Sequence, residues 1–175
     1  VSIASATAGK HVLVEKPMAL NMKQATEMVE AAKQNNITLM VGQSRRFCDA
    51  VFALQRNLPQ IGQLFRIIIS FLVHFPLPPT EWWRRSEEAG GLVILLQGSH
   101  SLDSILTWVR KMPRQVFASS ARRNLQWEGE DEADIFLSFD GGELASVHLS
   151  LNTYPALHEA ILVGTKGAMS LQEYA

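Results

Sequence analysis

A strand, a helix and a second strand in close succession constrain the fold of this chain more than any other feature. The runs HVLV at 11–14 and ITLMVG at 37–42 are apolar and rich in strand-forming side chains, as short buried strands are. The segment between them repeats its apolar side chains at helical spacing, at Ala25, Met28, Val29 and Ala32. Two strands joined by one crossover helix form a right-handed βαβ unit, so the two strands are predicted to be parallel.

Polar residues mark the ends of the predicted helices in this first part. Asn21 is a suitable N-cap, with Gln24 as its capping-box partner, and the pair Asn35–Asn36 ends the same helix. Residues 1–9 are predicted to be the end of an earlier helix that closes at Gly9.

The first strand runs into a charged corner, Glu15-Lys16-Pro17. Pro17 fixes its own φ and disfavours helix for the residue before it, so Lys16 is held extended just past the end of the strand. In an open parallel sheet, ligands bind at that edge. A lysine at a strand end is equally well explained as a solvated charge, and both interpretations stay open at this point.

The later sequence predicts a different architecture. A helix from Asp49 is predicted to stop at Pro59, and the run 64–75 is predicted to be a long strand. Asp140-Gly141-Gly142-Glu143 and Thr165-Lys166-Gly167 are turn signals between strand-like runs. Further strands are predicted over QVFASSAR, ADIFLSF, ELASVHLSL and EAILVGT. The fold class is therefore predicted as α/β, with a parallel sheet followed by an α+β part on a mostly antiparallel open sheet.

His100 lies in GGLVILLQGSHSLD, residues 90–103. This pattern predicts an apolar strand followed by a helix that Ser99 or Ser101 caps, with His100 in its first turn. There the helix dipole disfavours the protonated ring and leaves a neutral base or hydrogen-bond partner. The alternative is a capping or packed core histidine.

Two further groups are candidates for binding. The segment 76–91 is predicted to be a loop that carries Trp82, Trp83 and Arg84, whose aromatic rings pack over either the protein itself or a flat ligand ring. Arg45 and Arg46 follow the second predicted strand, at the same ligand-binding edge as Lys16.

Charge and cysteine content exclude several classes of partner. The net charge of −1 over 175 residues indicates neither a nucleic-acid nor an anionic-membrane partner. The apolar stretch at 67–75 is interrupted by Ser70 and His74 and is too short to span a bilayer. The single cysteine, Cys48, excludes an intrachain disulfide framework and fits a reducing compartment, so a cytoplasmic location is expected. The spacing of the histidines indicates no metal site.

Taken together and in order, these motifs resemble the Gfo/Idh/MocA family of NAD(P)-dependent oxidoreductases. The motifs that carry the resemblance are AGKHVLVEKPMAL, VGQSRRF, WWR, GGLVILLQGSHSLD and GTKGAMSL. The resemblance implies a Rossmann domain, expected at residues 1–45, and a C-terminal substrate domain, expected at 46–175, whose open sheet mediates homo-oligomerisation.

The same resemblance implies roles for individual residues. Lys16 and His100 match the catalytic lysine and the substrate-side histidine of the family. Glu15, Pro17, Trp83, Arg84 and Arg45 are expected, with Lys16, to contact the NAD or NADP cofactor. The expected reaction is hydride transfer to or from a secondary alcohol or ketone of a small sugar-like or polyol-like substrate.

Two departures from the family pattern leave a second interpretation open. The Gly-rich phosphate-binding turn is expected to precede Val1, so this chain alone is expected to be inactive. Leu96 stands four residues before His100, where many relatives have an aspartate. A non-catalytic ligand-binding homologue, or an inactive fragment, is therefore the alternative.

Overall fold

Two units make up the fold, one formed by Val1–Gln43 and the other by the chain from Ser44 onward. The structure is a computed structural model, and it describes residues 1–78 and 80–172. Each unit is described by itself below.

The first unit contains the predicted strand–helix–strand arrangement. Its elements are α1 (Ser2–Thr7), β1 (Val12–Glu15), α2 (Met22–Gln34) and β2 (Leu39–Gly42). The two strands pair in parallel, from Val12 opposite Leu39 to Glu15 opposite Gly42. The prediction of parallel strands around a crossover helix is therefore confirmed.

The predicted helix ends in this unit are also confirmed. Asn21 Oδ1 accepts a hydrogen bond from the Gln24 backbone N–H at 3.0 Å, and Gln24 Oε1 accepts one from the Leu20 N–H at 3.2 Å. Gly9 follows α1 with a φ of +70°, a left-handed conformation that glycine adopts without steric cost.

Burial of the two strands differs from the prediction. Leu13 on β1 is 71 % exposed, and burial alternates along that strand. The expectation of two fully buried strands was therefore wrong. The physical reason is that the sheet of this unit has only two strands, and one face of it stays open while the alanines of α1 and α2 are buried.

The second unit is built on a six-stranded sheet in the order β4-β5-β6-β3-β7-β8. Its strands are β3 (Leu64–His74), β4 (Gln115–Ala121), β5 (Glu132–Ser138), β6 (Leu144–Ser150), β7 (Asn152–Gly164) and β8 (Gly167–Gln172). Its helices are α3 (Asp49–Asn57), α4 (Glu81–Arg84), α5 (Ser86–Ala89) and α6 (Ser99–Val109). β3 is parallel to β6, and every other described pairing in this sheet is antiparallel, which confirms the prediction.

One face of the sheet forms the core of the second unit. Ile69 on β3, Val147 on β6 and Leu162 on β7 are fully buried, and Ile105 on α6 is buried in the same cluster. The paired residues Phe71, Leu149 and His158 continue this face toward one end of β3. Side chains on the opposite face, such as Phe136, remain partly exposed.

Two predicted elements between β3 and β4 were wrong. The segment expected to be a loop contains the single-turn helices α4 and α5, and α5 ends at Gly90 with a φ of +77°. The apolar run expected to be a strand at 92–97 is helical and continues through a π-helical turn, Ile94–Gly98, into α6. A short buried apolar run has no periodicity that separates strand from helix, so the sequence pattern alone did not decide between them.

The segment Ser86–Val109, which contains α5 and the helical run from Val93, is apolar and long enough to pass as a membrane span by composition alone. Half of its most apolar stretch is buried inside the second unit, as in the core helix of a folded domain.

Candidate functional site

The charged corner lies at the carboxyl end of β1. Glu15 is the last residue of the strand, Lys16 is half-buried, and the Lys16–Pro17 peptide bond is cis. Gly42, at the carboxyl end of β2, lies opposite Glu15, and a methyl group on Gly42 would lie 3.4 Å from the Val14 carbonyl oxygen. The structure thus places Glu15, Lys16 and Pro17 together at the carboxyl edge of the parallel pair.

Arg45 begins a polar cluster in the second unit. It lies in a 3₁₀ turn, Ser44–Phe47, and its guanidinium is buried. Its Nη2 donates to Gln97 Oε1 at 3.4 Å, and its Cζ lies 5.6 Å from the centroid of the Phe71 ring, a cation–π contact. Arg45 is therefore held between the π-helical turn and the central strand of the sheet.

His158 extends this cluster across the sheet. Its ring meets the Phe71 ring edge to face, with the centroids 5.0 Å apart. Burial, together with the positive charge of Arg45, lowers the pKa of His158 to about 4. His158 is thus a neutral hydrogen-bonding group at physiological pH, beside a permanent cation.

His100 lies on α6, and its side chain is 7 % exposed. The helical run that carries it begins near Val93, so His100 is not in the first turn of that run. The expectation that the helix dipole acts directly on the ring from a cap at Ser99 or Ser101 is therefore wrong, and among the described residues no side chain caps α6 at Gly98. The π-helical turn at Ile94–Gly98 holds one more residue than an α-helical turn, and π turns recur at functional sites.

Arg46 and Asp103 link the 3₁₀ turn to α6. Arg46 Nε donates to Asp103 Oδ2 at 2.7 Å and Nη2 donates to Oδ1 at 2.5 Å, a bidentate pair. The hydrogen bonds to Asp103 raise the pKa of Arg46 above its ordinary value. This pair fixes the position of Arg45, the preceding residue, with respect to the helix that carries His100.

The tryptophans of α4 are divided between core and surface. Trp83 packs against the hydrophobic core, while Trp82 is exposed and meets the Trp83 ring edge to face at 5.8 Å. Arg84 is exposed, and its carbonyl oxygen accepts from the Glu128 N–H at 3.0 Å. Of the two interpretations of this loop, packing onto the protein describes Trp83, and Trp82 presents a ring to solvent.

The sequence pattern did not reveal several residues that shape this unit. Gln97 was hidden in an apolar run, and Glu130 and Glu128 stand in an acidic segment that carries no catalytic motif. Leu96, the apolar residue that stands four positions before His100 in place of a carboxylate, is buried in the core cluster. The only sequence signal for Glu128 and Glu130 was an acidic run directly before a predicted strand. Their hydrogen-bond partners lie about forty residues earlier in the chain, so no local motif connects the two.

The first unit is a parallel strand–helix–strand pair and the second is built on a large open sheet, the architecture of a two-domain α/β protein. Comparison with known proteins identifies the family to which this architecture belongs. Residues 59–170 match the family model of the GFO/IDH/MocA C-terminal domain. Residues 1–43 match the model described as the oxidoreductase family, NAD-binding Rossmann fold. The chain belongs to the GFO/IDH/MocA family, as its motifs predicted.

Individual relatives agree with this assignment. The chain is 32 % identical over 172 residues to a 1,5-anhydro-D-fructose reductase of Ensifer adhaerens, covering 96 % of this chain and 51 % of the relative. A solved levoglucosan dehydrogenase, in complex with NADH and levoglucosan, is 25 % identical with a TM-score of 0.88, covering 98 % of this chain and 50 % of that one. An aldose-aldose oxidoreductase from Caulobacter crescentus, at 23 % identity and a TM-score of 0.90, shares the fold over 98 % of this chain and 52 % of its own.

The chain spans about half the length of the curated relatives that it matches. What those relatives do as whole proteins therefore bears on this chain only through the proposal that follows.

Proposed function

We propose that the intact protein is an NAD(P)-dependent oxidoreductase. It transfers a hydride between a nicotinamide cofactor and a secondary alcohol or ketone of a small sugar-like or polyol-like molecule. The observation that carries the proposal is the Glu15-Lys16-Pro17 corner at the carboxyl end of a parallel strand, within the residues that match the NAD-binding family model. The substrate class is supported by two relatives, a 1,5-anhydro-D-fructose reductase and a levoglucosan dehydrogenase.

The two ends of the chain have different roles in this proposal. Residues 1–45 are part of the dinucleotide-binding domain, and residues 46–175 are the substrate and oligomerisation domain. The partner is a small-molecule substrate, with neither nucleic acid nor membrane, and the location is cytoplasmic.

The residues at the strand edge fit an NAD-type cofactor. Lys16 is half-buried there, and Gly42 offers no side chain beside Glu15, so backbone is accessible to a bound ring. Glu15, Lys16 and Pro17 would hold the nicotinamide end, and Trp83, Arg84 and Arg45 are the proposed contacts from the second unit. The cofactor itself supplies or accepts the hydride, and the protein contributes binding, orientation and charge.

Proton transfer is the part of the reaction that side chains of this chain perform. When a ketone is reduced, the oxygen of the reacting carbon gains negative charge and needs a proton. The Lys16 ammonium donates that proton, and it takes the proton back from the alcohol in the oxidative direction. His100 is the proposed substrate-side group, and it orients or relays the proton.

A non-catalytic ligand-binding homologue is the second candidate, and Leu96 is the observation that favours it. Leu96 is buried and apolar four residues before His100, where the family resemblance implies an aspartate, so this position offers no carboxylate for proton transfer. A protein of this kind would bind nicotinamide nucleotide without turning over any alcohol or ketone.

Substitution of Lys16 by Met in the intact protein tests the proposal. Lys16→Met should bind NADH or NADPH as tightly as the unmodified protein, because nucleotide affinity depends on many contacts. Its turnover should fall by about 10²- to 10⁴-fold, the usual contribution of a general acid. The measurements are nucleotide fluorescence and steady-state oxidation or reduction of a panel of sugars and polyols.

The matched control is Lys10→Met, which removes an exposed lysine just before β1. Its turnover should be unchanged. Equal turnover of Lys16→Met and the unmodified protein would remove Lys16 from the mechanism. Nucleotide binding with no turnover in the unmodified protein would support the non-catalytic candidate instead.

The open face of the six-stranded sheet is the proposed contact between copies of the protein. Phe117, Phe136 and Leu144 are exposed on β4, β5 and β6, and they line a shallow recess of about 510 Å³. Exposed apolar groups of this kind are characteristic of interfaces between identical subunits.

A further inference from the structure

An acidic segment, residues 128–132 (EGEDE), accepts hydrogen bonds with each of its carboxylates. Glu128 accepts from Ser86 N–H, and Asp131, which is fully buried, accepts from the N–H groups of Arg123 and Asn124. Glu132 accepts from the Ser150 hydroxyl and the Asn152 amide, and Glu130 accepts from residues at the start of the helical run. The segment is thus a set of acceptors for N–H and O–H groups from several different elements.

Glu130 by itself accepts hydrogen bonds from three consecutive backbone N–H groups. Its Oε1 accepts from Leu92 N and Ile94 N, both at 3.0 Å, and its carbonyl oxygen accepts from Val93 N at 3.0 Å. The first N–H groups of a helix have no partner within the helix, and a carboxylate at that end also complements the helix dipole. Glu130 therefore performs the capping function that Ser99 and Ser101 were expected to perform.

Two glycines bring this cap and the helix into close contact with their neighbours. A methyl group on Gly129 would lie 2.7 Å from Leu92 Cβ, so only glycine allows the cap to approach the helix start. A methyl group on Gly98 would lie 3.0 Å from Leu149 Cδ1, so the end of the π-helical turn rests directly on β6. The helix is thus fixed at its start and at the residue two positions before His100.

The same acidic segment also holds α4, the single-turn helix that carries Trp82 and Trp83. The Glu128 N–H donates to the Arg84 carbonyl oxygen at 3.0 Å, and the Ser86 N–H donates to Glu128 Oε2 at 3.1 Å. Residues 128 and 130 therefore fix both α4, which carries Trp83, and the helical run that carries His100. This short segment at the start of β5 therefore sets the spacing between α4 and the helical run that carries His100.

We propose that Glu130 is a positioning residue that sets the rotation of His100 by fixing where the helical run begins. One residue of slip at the start of a helix rotates every later side chain by about 100°. The cap, the π-helical turn and the Gly98 contact together select one rotation, in which His100 is presented from α6. This role rests on the proposed function only for its effect on turnover, because the orientation of the ring is measurable without it.

The test compares three substitutions of Glu130 in the intact protein. Glu130→Gln keeps an oxygen acceptor at the same reach, Glu130→Asp keeps the charge but shortens the reach by one methylene, and Glu130→Ala removes the acceptor. The control is Asp140→Ala, which removes a carboxylate that is 82 % exposed at the turn beyond the other end of β5.

The first readout is the NMR cross-peak of the His100 ring, assigned with His100→Asn. It should move in Glu130→Ala and Glu130→Asp, and stay near its original position in Glu130→Gln and Asp140→Ala. The His148 cross-peak, from the open face of the sheet, should not move in any of them. An unmoved His100 cross-peak in Glu130→Asp or Glu130→Ala overturns the proposal, and so does an equal movement of all histidines. If Glu130→Ala does not fold, Glu130→Asp decides the question alone.

The second readout is turnover. A displaced His100 should lower kcat by about ten- to a hundredfold in Glu130→Asp, with the affinity for nucleotide unchanged, because small misplacements of a reacting group have effects of that size. A moved His100 cross-peak with unchanged kcat would remove His100 from the reaction and leave its positioning by Glu130 standing. Absence of turnover in the unmodified protein would contradict the proposed function, while the NMR result would still decide the role of Glu130.

Discussion

At the scale of single residues, His158 lies in an environment that strongly disfavours its charged form. Its ring lies against Phe71 on the helix-covered face of the sheet, and the buried guanidinium of Arg45 makes a cation–π contact with the same Phe71 ring. Burial and this positive charge both disfavour the imidazolium form and lower the pKa of His158 in the folded protein to about 4. The ring therefore stays neutral above that pH. An unfolded chain has an ordinary histidine pKa of about 6.5.

This difference predicts a pH dependence of folding stability. Between pH 6.5 and 4 the unfolded state binds a proton that the folded state rejects, so the stability present above pH 6.5 is lost as the pH falls to about 4. The loss due to His158 should be about 1–3 kcal/mol at the bottom of that window, allowing for the partial exposure of the ring. His158→Gln should therefore flatten the pH dependence of urea unfolding between pH 6.5 and 4. Tryptophan fluorescence reports this unit alone, since all four tryptophans lie in it. Equal slopes for His158→Gln and the unmodified protein would show that the ring is protonated in the folded state.

At the scale of elements, the turn between β5 and β6 depends on one backbone conformation. Gly142 has a φ of +83°, and a methyl group there would meet no atom within 4 Å. Gly142→Ala should therefore cost about 1 kcal/mol through backbone conformation alone, and Gly142→Asn should cost less because asparagine tolerates left-handed φ. Gly167→Ala is the control, since its φ is ordinary and its methyl group would meet only Ile61 Cγ2 at 3.9 Å. The free energy of urea unfolding measures all three, and a cost at Gly167 equal to that at Gly142 would contradict this account.

Elements that depend on nearby residues were predictable from sequence, and elements that depend on distant partners were not. The hairpin at 140–143 and the Asn21 cap follow from adjacent residues, and both were confirmed. The helical run after Leu92 takes its cap from Glu130, which is 38 residues away along the chain, and the sequence pattern suggested a strand instead. The polar cluster around Arg45 likewise needs Gln97, Phe71 and His158, three residues from three elements, so only the fold brings it together.

At the scale of the whole molecule, family membership and the order of the two architectures followed from motifs spread over the chain, and both were confirmed. Exposure was predicted less well, because it depends on how many strands a sheet has and on what covers each face. In the first unit the sheet has two strands, so apolar side chains that were predicted to be buried, such as Leu13, are exposed. In the second unit the helices that the structure describes cover one face of a six-stranded sheet.

The opposite face of this sheet is the proposed contact between copies of the protein. Phe136 is 46 % exposed at its centre, beside Phe117 at a ring distance of 6.4 Å, and a second copy would bury both rings. Phe136→Lys should introduce a charge that cannot be buried without a partner, so sedimentation should show a smaller assembly than that of the unmodified protein. Phe52→Lys is the matched control, because Phe52 is 43 % exposed on α3, in the helical layer on the other side of the sheet. If both variants keep the mass of the unmodified protein, the open face is not the contact between subunits. If Phe52→Lys alone dissociates the assembly, the contact lies on the helical layer instead.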